Sequence, residues 1–204
     1  MDLDGDGIRD VITGSWPGEL YVFKGAKDEE GARTYAEPVK LTDKDGKDIN
    51  TGNASALFAT DWDRDGDIDL VVGSIDGWVW LVPNESGNAK LSFGTAVKVE
   101  ADGKPIHEHH SGPTVADWDG NGTLDLIVGQ GDGNVVWYAN SERAGAPKLA
   151  APRVLHASKN GGRSDGSHCG GRVKPTVADW NGDGRLDLLL GDFGVKQPEK
   201  KQLS

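Results

Sequence analysis

Short apolar runs recur along the chain, each preceded by acidic residues at every second position and closed by a glycine. The runs are Val11-Ile12, Leu70-Val71-Val72, Leu126-Ile127-Val128 and Leu188-Leu189-Leu190, and the closing glycines are Gly14, Gly73, Gly129 and Gly191. A second turn glycine follows at Gly18, Gly77 and Gly133, then a β-rich stretch: LYVF, WVWLV or NVVWY. A third strand is expected around Pro38–Leu41, Phe93–Val99 and Pro152–Leu155. Before three of the acidic segments stands another apolar stretch, LFAT from Leu57 and PTVA from Pro113 and Pro175. The unit therefore reads as four short strands joined by glycine turns. Its copies start at Asp2, Asp61, Asp117 and Asp179, at intervals of 59, 56 and 62 residues. Repeats of that period point to an all-β fold, a segment of a β-propeller built from four-stranded blades. A sandwich of separate hairpins is the competing all-β arrangement. The repeats fall at about 2–55, 56–111, 112–172 and 173–204, the first and last incomplete, and carry three, four, four and two strands. No amphipathic helix is expected, and Ala26–Ala36 offers at most one helical turn. The segment from Gly194-Val195 onward, including KQPEKKQLS, has no β pattern.

The acidic segments have the chemistry of a calcium loop. Calcium takes six to eight oxygen ligands at about 2.3–2.6 Å, and a short loop encloses it when oxygens recur at alternate residues while the backbone curls. Oxygen-bearing side chains stand at positions one, three, five and nine. They are Asp2, Asp4, Asp6 and Asp10; Asp61, Asp63, Asp65 and Asp69; Asp117, Asp119, Asn121 and Asp125; and Asp179, Asn181, Asp183 and Asp187. Position six is always glycine, which suits a sharp turn with positive φ. Position seven holds Ile8, Asp67, Thr123 and Arg185, so it is expected to contribute a backbone carbonyl. The spacing matches the first half of an EF-hand loop, but there is no glutamate at position twelve and no flanking helix. Asx turns without metal are the alternative; they explain one such loop as well as calcium does, and four aligned copies less well.

Composition sharpens this picture. Thirty glycines agree with many tight turns, and a net charge of -11 argues against nucleic acid or anionic membrane as partner. Fifteen of the 33 acidic residues sit in the four loops, where they repel one another unless cations bind; four Ca²⁺ would bring the formal charge to -3. No apolar stretch approaches the ~18 residues of a membrane span, so no membrane insertion is expected. The opening MDLDGDG is not a secretory signal, and the single cysteine, Cys169, excludes an internal disulfide.

With DxDxDGxxDLxxG running through nearly the whole chain, the sequence resembles the FG-GAP and VCBS repeat family, best known from the propeller domains of integrin α subunits. The resemblance implies a propeller whose calcium loops stiffen the blades while ligands bind on one face. The Gly-Ala-Pro of the name motif is replaced after Gly73, Gly129 and Gly191 by Ser74, Gln130 and Asp192. That is nearer the VCBS variant of bacterial secreted and surface proteins, and integrin-type ligand binding does not carry over. Some relatives are fused to enzymes, and some polysaccharide lyases are propellers with similar loops.

Outside the loops, His107-Glu108-His109-His110 is the most pointed cluster, with His168-Cys169 in a matching place one repeat later. His107 lies ten residues before Asp117 and Cys169 ten before Asp179, so in a propeller they share a face. Imidazole and thiolate there could converge on zinc or copper; the alternative is a polar loop. Trp62, Trp118 and Trp180 all occupy loop position two and are expected to pack between blades, whereas Trp16 and Trp78 are candidates for ligand contact. The expected function is a calcium-stabilised, non-catalytic module that binds protein or glycan, secreted or on the cell surface. The alternatives are part of a polysaccharide-active enzyme and a purely structural spacer. With about three and a quarter blades, either the chain continues on both sides or copies assemble into a homo-oligomer through open blade edges.

Overall fold

A computed structural model describes residues 2–3, 5–86, 91–159, 161 and 170–193. Every regular element among them is a strand. The first antiparallel sheet has the order β1 (Val11–Gly14), β2 (Leu20–Phe23) and β5 (Val39–Lys40), with a separate hairpin of β3 (Gly25–Lys27) and β4 (Arg33–Tyr35). The second follows chain order: β6 (Ala56–Thr60), β7 (Asp69–Gly73), β8 (Val79–Val82) and β9 (Val97–Lys98). A small hairpin of β10 (Glu100–Ala101) and β11 (Lys104–Pro105) comes next. The third sheet repeats the order of the second with β12 (Gly112–Ala116), β13 (Asp125–Gly129), β14 (Val135–Tyr138) and β15 (Arg153–His156). The fourth pairs β16 (Gly171–Ala178) with β17 (Asp187–Phe193). The main sheets thus hold the strands that the sequence pattern predicts.

The expectation that no amphipathic helix forms holds among the described residues. Ala26–Ala36 forms no helical turn; it is the β3–β4 hairpin. Asp28 sets the bend, its Oδ1 accepting the N–H groups of Glu30 (3.0 Å) and Ala32 (2.8 Å), and Gly31 takes φ +82°. An Asx turn with a left-handed glycine reverses the chain more cheaply than two acidic residues extend a helix.

The central strands read as unbroken apolar runs because both of their faces are covered. Leu70 and Val72 pack toward the first sheet, with Leu20, Val22 and Phe93, while Val71 packs toward the third, with Val115, Leu126 and Val128. Ile127, on the opposite face of β13, meets Val173 of the fourth sheet. All six residues of the two middle runs are fully buried, each worth about 1.5–3 kcal/mol relative to exposure. β12 touches β6 and β7 before it and β16 after it, so successive sheets stack in chain order.

The glycine that closes each run is a packing requirement. A Cβ on Gly73 would lie 2.6 Å from the Ser111 carbonyl oxygen, and on Gly14 or Gly129 it would collide with the carbonyl of Ser55 or Val173. Ser55 and Ser111 belong to the connections into the next sheet, and Val173 to the start of its first strand, β16. Among the described residues, Gly191, in the fourth repeat, meets only the Lys174 carbonyl at 3.8 Å.

Candidate metal centres

Three of the acidic loops are hairpin connections, closed by the pairs Thr60↔Asp69, Ala116↔Asp125 and Ala178↔Asp187. The first loop leads into β1; Asp2, Asp6, Ile8 and Asp10 are described, and Asp4 lies outside the described residues.

All four loops curl by one set of hydrogen bonds. The carboxylate at position one accepts the N–H of the position-six glycine: Asp2 from Gly7 (2.9 Å), Asp61 from Gly66 (3.2 Å), Asp117 from Gly122 (2.9 Å) and Asp179 from Gly184 (2.9 Å). The oxygen at position five accepts the N–H at position seven, in Asp6–Ile8, Asp65–Asp67, Asn121–Thr123 and Asp183–Arg185. Asp63, Asp119 and Asn181, at position three, accept the N–H at position five. These nested Asx turns hold successive side-chain oxygens around one centre.

The middle loops satisfy the test that a cation imposes. Asp61, Asp63 and Asp65 each offer an oxygen within 4.8 Å of the others, as do Asp117, Asp119 and Asp125. Two ligands at about 2.4 Å from one ion can be no farther apart than that. Asp61 Oδ1 and Asp117 Oδ1 are buried and have no hydrogen-bond partner. A bare carboxylate oxygen in that setting is costly without a cation or bound water. In the outer loops the corresponding oxygen turns to the backbone: Asp2 Oδ1 accepts Gly5 N–H, and Asp179 Oδ1 accepts those of Gly182 and Asp183.

Position nine has a structural duty that spacing alone does not reveal. Asp69 accepts the N–H of Trp62 (3.1 Å) on one oxygen and of Asn84 (2.9 Å) on the other. Asp125 does the same with Trp118 (3.1 Å) and Asn140 (2.7 Å), and Asp10 with Leu3 (2.8 Å) and Gly25 (2.7 Å). The carboxylate staples its own loop to the chain leaving β2, β8 or β14. Asp187 keeps the first half of this pattern with Trp180. Burial pushes the Asp69 carboxyl up to about 6 and raises Asp125 and Asp63; nearby acids add to the effect, which a bound cation would oppose. Position seven also has side-chain roles in the middle loops. Asp67 is buried with the Ser86 hydroxyl donating to it (3.4 Å), and the Thr123 hydroxyl donates to the Asn140 carbonyl (2.8 Å). Ile8 has no polar side-chain atom, and among the described residues the Arg185 side chain makes no equivalent bond.

Neighbouring loops are joined. Trp62 is buried and donates its Nε1–H to the Leu124 carbonyl of the next loop (2.9 Å), and Arg64 donates to the Gly122 carbonyl (2.6 Å). Leu3 and Trp118 sit at the same repeat position against the second and fourth sheets. Trp180, with no described sheet beyond it, is 77% exposed.

The histidine cluster is only partly assembled. His109 Nδ1 and His110 Nδ1 are 2.7 Å apart, whereas the His107 ring stacks on Trp78 (4.2 Å) with Nε2 2.9 Å from the Asp76 carbonyl oxygen. Glu108 accepts the hydroxyl of Tyr138 (2.7 Å) and the amide of Gln130. His168 and Cys169 lie outside the described residues. Trp78 is also covered by Lys98, whose Nζ stands 3.3 Å from the ring centre, while Trp16 is exposed. The unrecognised staple at position nine had a sequence signal: Asn84 and Asn140 both lie fifteen residues after their aspartate.

No curated protein matches the chain. The model of the FG-GAP-like repeat matches three times, over residues 2–72, 61–128 and 117–190, each match starting on the first aspartate of one loop and ending in the strand after the next. Spanning residues 2–190 between them, these matches show that the chain belongs to the FG-GAP-like repeat family.

Proposed function

We propose that the chain is a calcium-stabilised segment of a β-propeller that serves as a binding or scaffold module for protein or glycan outside the cytoplasm. The observation that carries the metal reading is the buried, partnerless oxygen of Asp61 and of Asp117, each inside a ring of Asx turns. Calcium would be held by Asp61, Asp63 and Asp65 in one loop and by Asp117, Asp119, Asn121 and Asp125 in the next. The first and fourth loops share the curl and are assigned the same ion. Bound calcium supplies charge neutralisation and cross-bracing, while this chain's own residues set the loop shape and lock it to the neighbouring sheet. The propeller reading rests on similar sheets stacked through their first strands, and the extracellular one on affinity. Calcium modules of extracellular proteins bind with Kd of about 10⁻⁴–10⁻³ M, far above cytosolic calcium.

Calorimetric titration with calcium tests the proposal. Up to four ions should bind, and Asp117→Asn should remove about one, because it removes the negative charge of the carboxylate whose second oxygen has no other partner. Unchanged stoichiometry and affinity in Asp117→Asn would show that the loop curls for its own sake. A glycan array and a pull-down with extracellular proteins, both run with calcium, then separate a recognition role from a spacer.

A further inference from the structure

Four basic side chains meet where the third and fourth sheets join, in a chain with net charge -11. His109 and His110 belong to the connection into β12, and Arg172 and Lys174 to the start of β16. The two imidazoles lie over Gly131, where a Cβ would stand 2.5 Å from His109 Nδ1 and 2.7 Å from His110 Nδ1. The Arg172 N–H donates to the Gly131 carbonyl (3.1 Å), so one turn organises both halves of the cluster. Lys174 Nζ donates to the Ser111 carbonyl (3.0 Å). Its stem crosses Gly112, where a Cβ would come within 2.5 Å of Cδ and 2.8 Å of Nζ.

The backbone adds a second, independent sign. Ala54, His110 and Arg172 occupy one repeat position, immediately before Ser55, Ser111 and Val173, whose carbonyls pack on Gly14, Gly73 and Gly129. All three have left-handed backbones, with φ of +51°, +56° and +55°. A side chain there costs of order 1 kcal/mol or more. Alanine suffices for the turn in the first copy, whereas the next two carry ionisable groups. These are His110, on which the charges of Arg172 and Lys174 both act, and Arg172, whose guanidinium stands 5.8 Å from the Phe193 ring centre. Lys174 is held below its ordinary value by desolvation, and His110 is lowered by burial and then by His109, Arg172 and Lys174. Among the described residues, no carboxylate forms an ion pair with Arg172 or Lys174. Glu108 turns to Tyr138 and Gln130 instead.

We propose that His109, His110, Arg172 and Lys174 form a binding site for a single oxyanion group, a carboxylate or a sulfate, on a small or end-on ligand. The guanidinium offers a planar fork, the ammonium a point charge with donors beyond the Ser111 bond, and the imidazoles directional N–H groups. The overall negative charge opposes a long polyanion, which restricts the ligand to a local anionic group. The site does not depend on the calcium assignment, because none of its residues belongs to an acidic loop.

The test uses the full chain in calcium, titrated at constant ionic strength with sodium sulfate and, separately, with galacturonate. Imidazole proton resonances of His109 and His110 are followed. Saturable shifts are expected, and the stronger of the two probes tells a sulfate ester from a uronic carboxylate as the source. Arg172→Gln and Lys174→Gln should each weaken binding about tenfold. Gly112→Ala should weaken it too while leaving the fold intact, because the added methyl displaces only the end of a flexible lysine. Lys104→Gln should change nothing. Shifts that rise linearly with both probes, or that persist in Arg172→Gln, overturn the proposal. Zinc that saturates the same resonances equally well in Arg172→Gln overturns it as well, and places a metal on the imidazole pair.

Discussion

Removing calcium with excess chelator should lower the melting temperature of the chain by roughly 12–24 °C. A site with Kd near 0.1 mM in millimolar calcium contributes about 1.4 kcal/mol. Four such sites acting on one cooperative unit give about 6 kcal/mol, and a domain of this size moves about 2–4 °C per kcal/mol. The middle loops should supply the most reproducible share, because their carboxylates are the more buried and each retains an oxygen with no partner. Magnesium should restore little, since it demands a small octahedral shell and gives up water reluctantly. Asp63→Ala should cost less than chelation, as it empties one loop. Scanning calorimetry at matched ionic strength decides; identical melting with and without chelator sinks the structural role of calcium.

Trp62→Ala should cost about 3–5 kcal/mol, whereas Trp180→Ala should cost almost nothing in the isolated chain. Both tryptophans stand at loop position two, yet Trp62 is 2% exposed and Trp180 is 77% exposed. Trp62 also donates to the Leu124 carbonyl, a bond the alanine variant loses while Asn140 Nδ2 still donates to the same oxygen (3.0 Å). Urea unfolding in calcium measures both. A comparable loss at the two positions would show that burial between sheets is not what the indole supplies. A loss at Trp180 that grows with protein concentration would instead show a second copy seated on that flank.

Strand number and order were legible because the apolar runs are short, regularly spaced and punctuated by glycine. The alternation hidden inside those runs was not, since Val71 and its neighbours Leu70 and Val72 are equally apolar although they face different sheets. Loop oxygens were legible from spacing, but their division of labour was not. Asp69 and Asp61 look alike in sequence; one is spent on two backbone amides while the other keeps an oxygen free of them. The hairpin at Ala26–Ala36 was not legible because alanines and charged residues carry no strand pattern, and the Asp28 turn decides it. The basic cluster was invisible for another reason. Arg172 and Lys174 are 62 and 64 residues from His110, and only the stacking of sheets brings them together.

The Trp62–Leu124 bond and the carbonyls set against Gly14, Gly73 and Gly129 give every junction a polarity. Each unit presents an indole or leucine and a bare glycine to its successor, and receives them on carbonyls of its own. Head-to-tail contacts of this kind are not self-complementary, so growth is possible by adding whole modules without inventing a new interface. A tandem copy of residues 61–116, inserted after position 116, should fold with one more sheet and one more calcium. Stoichiometry and strand content of that lengthened chain would measure it; a misfolded product would mean that curvature, and not local fit, limits how many modules can be joined.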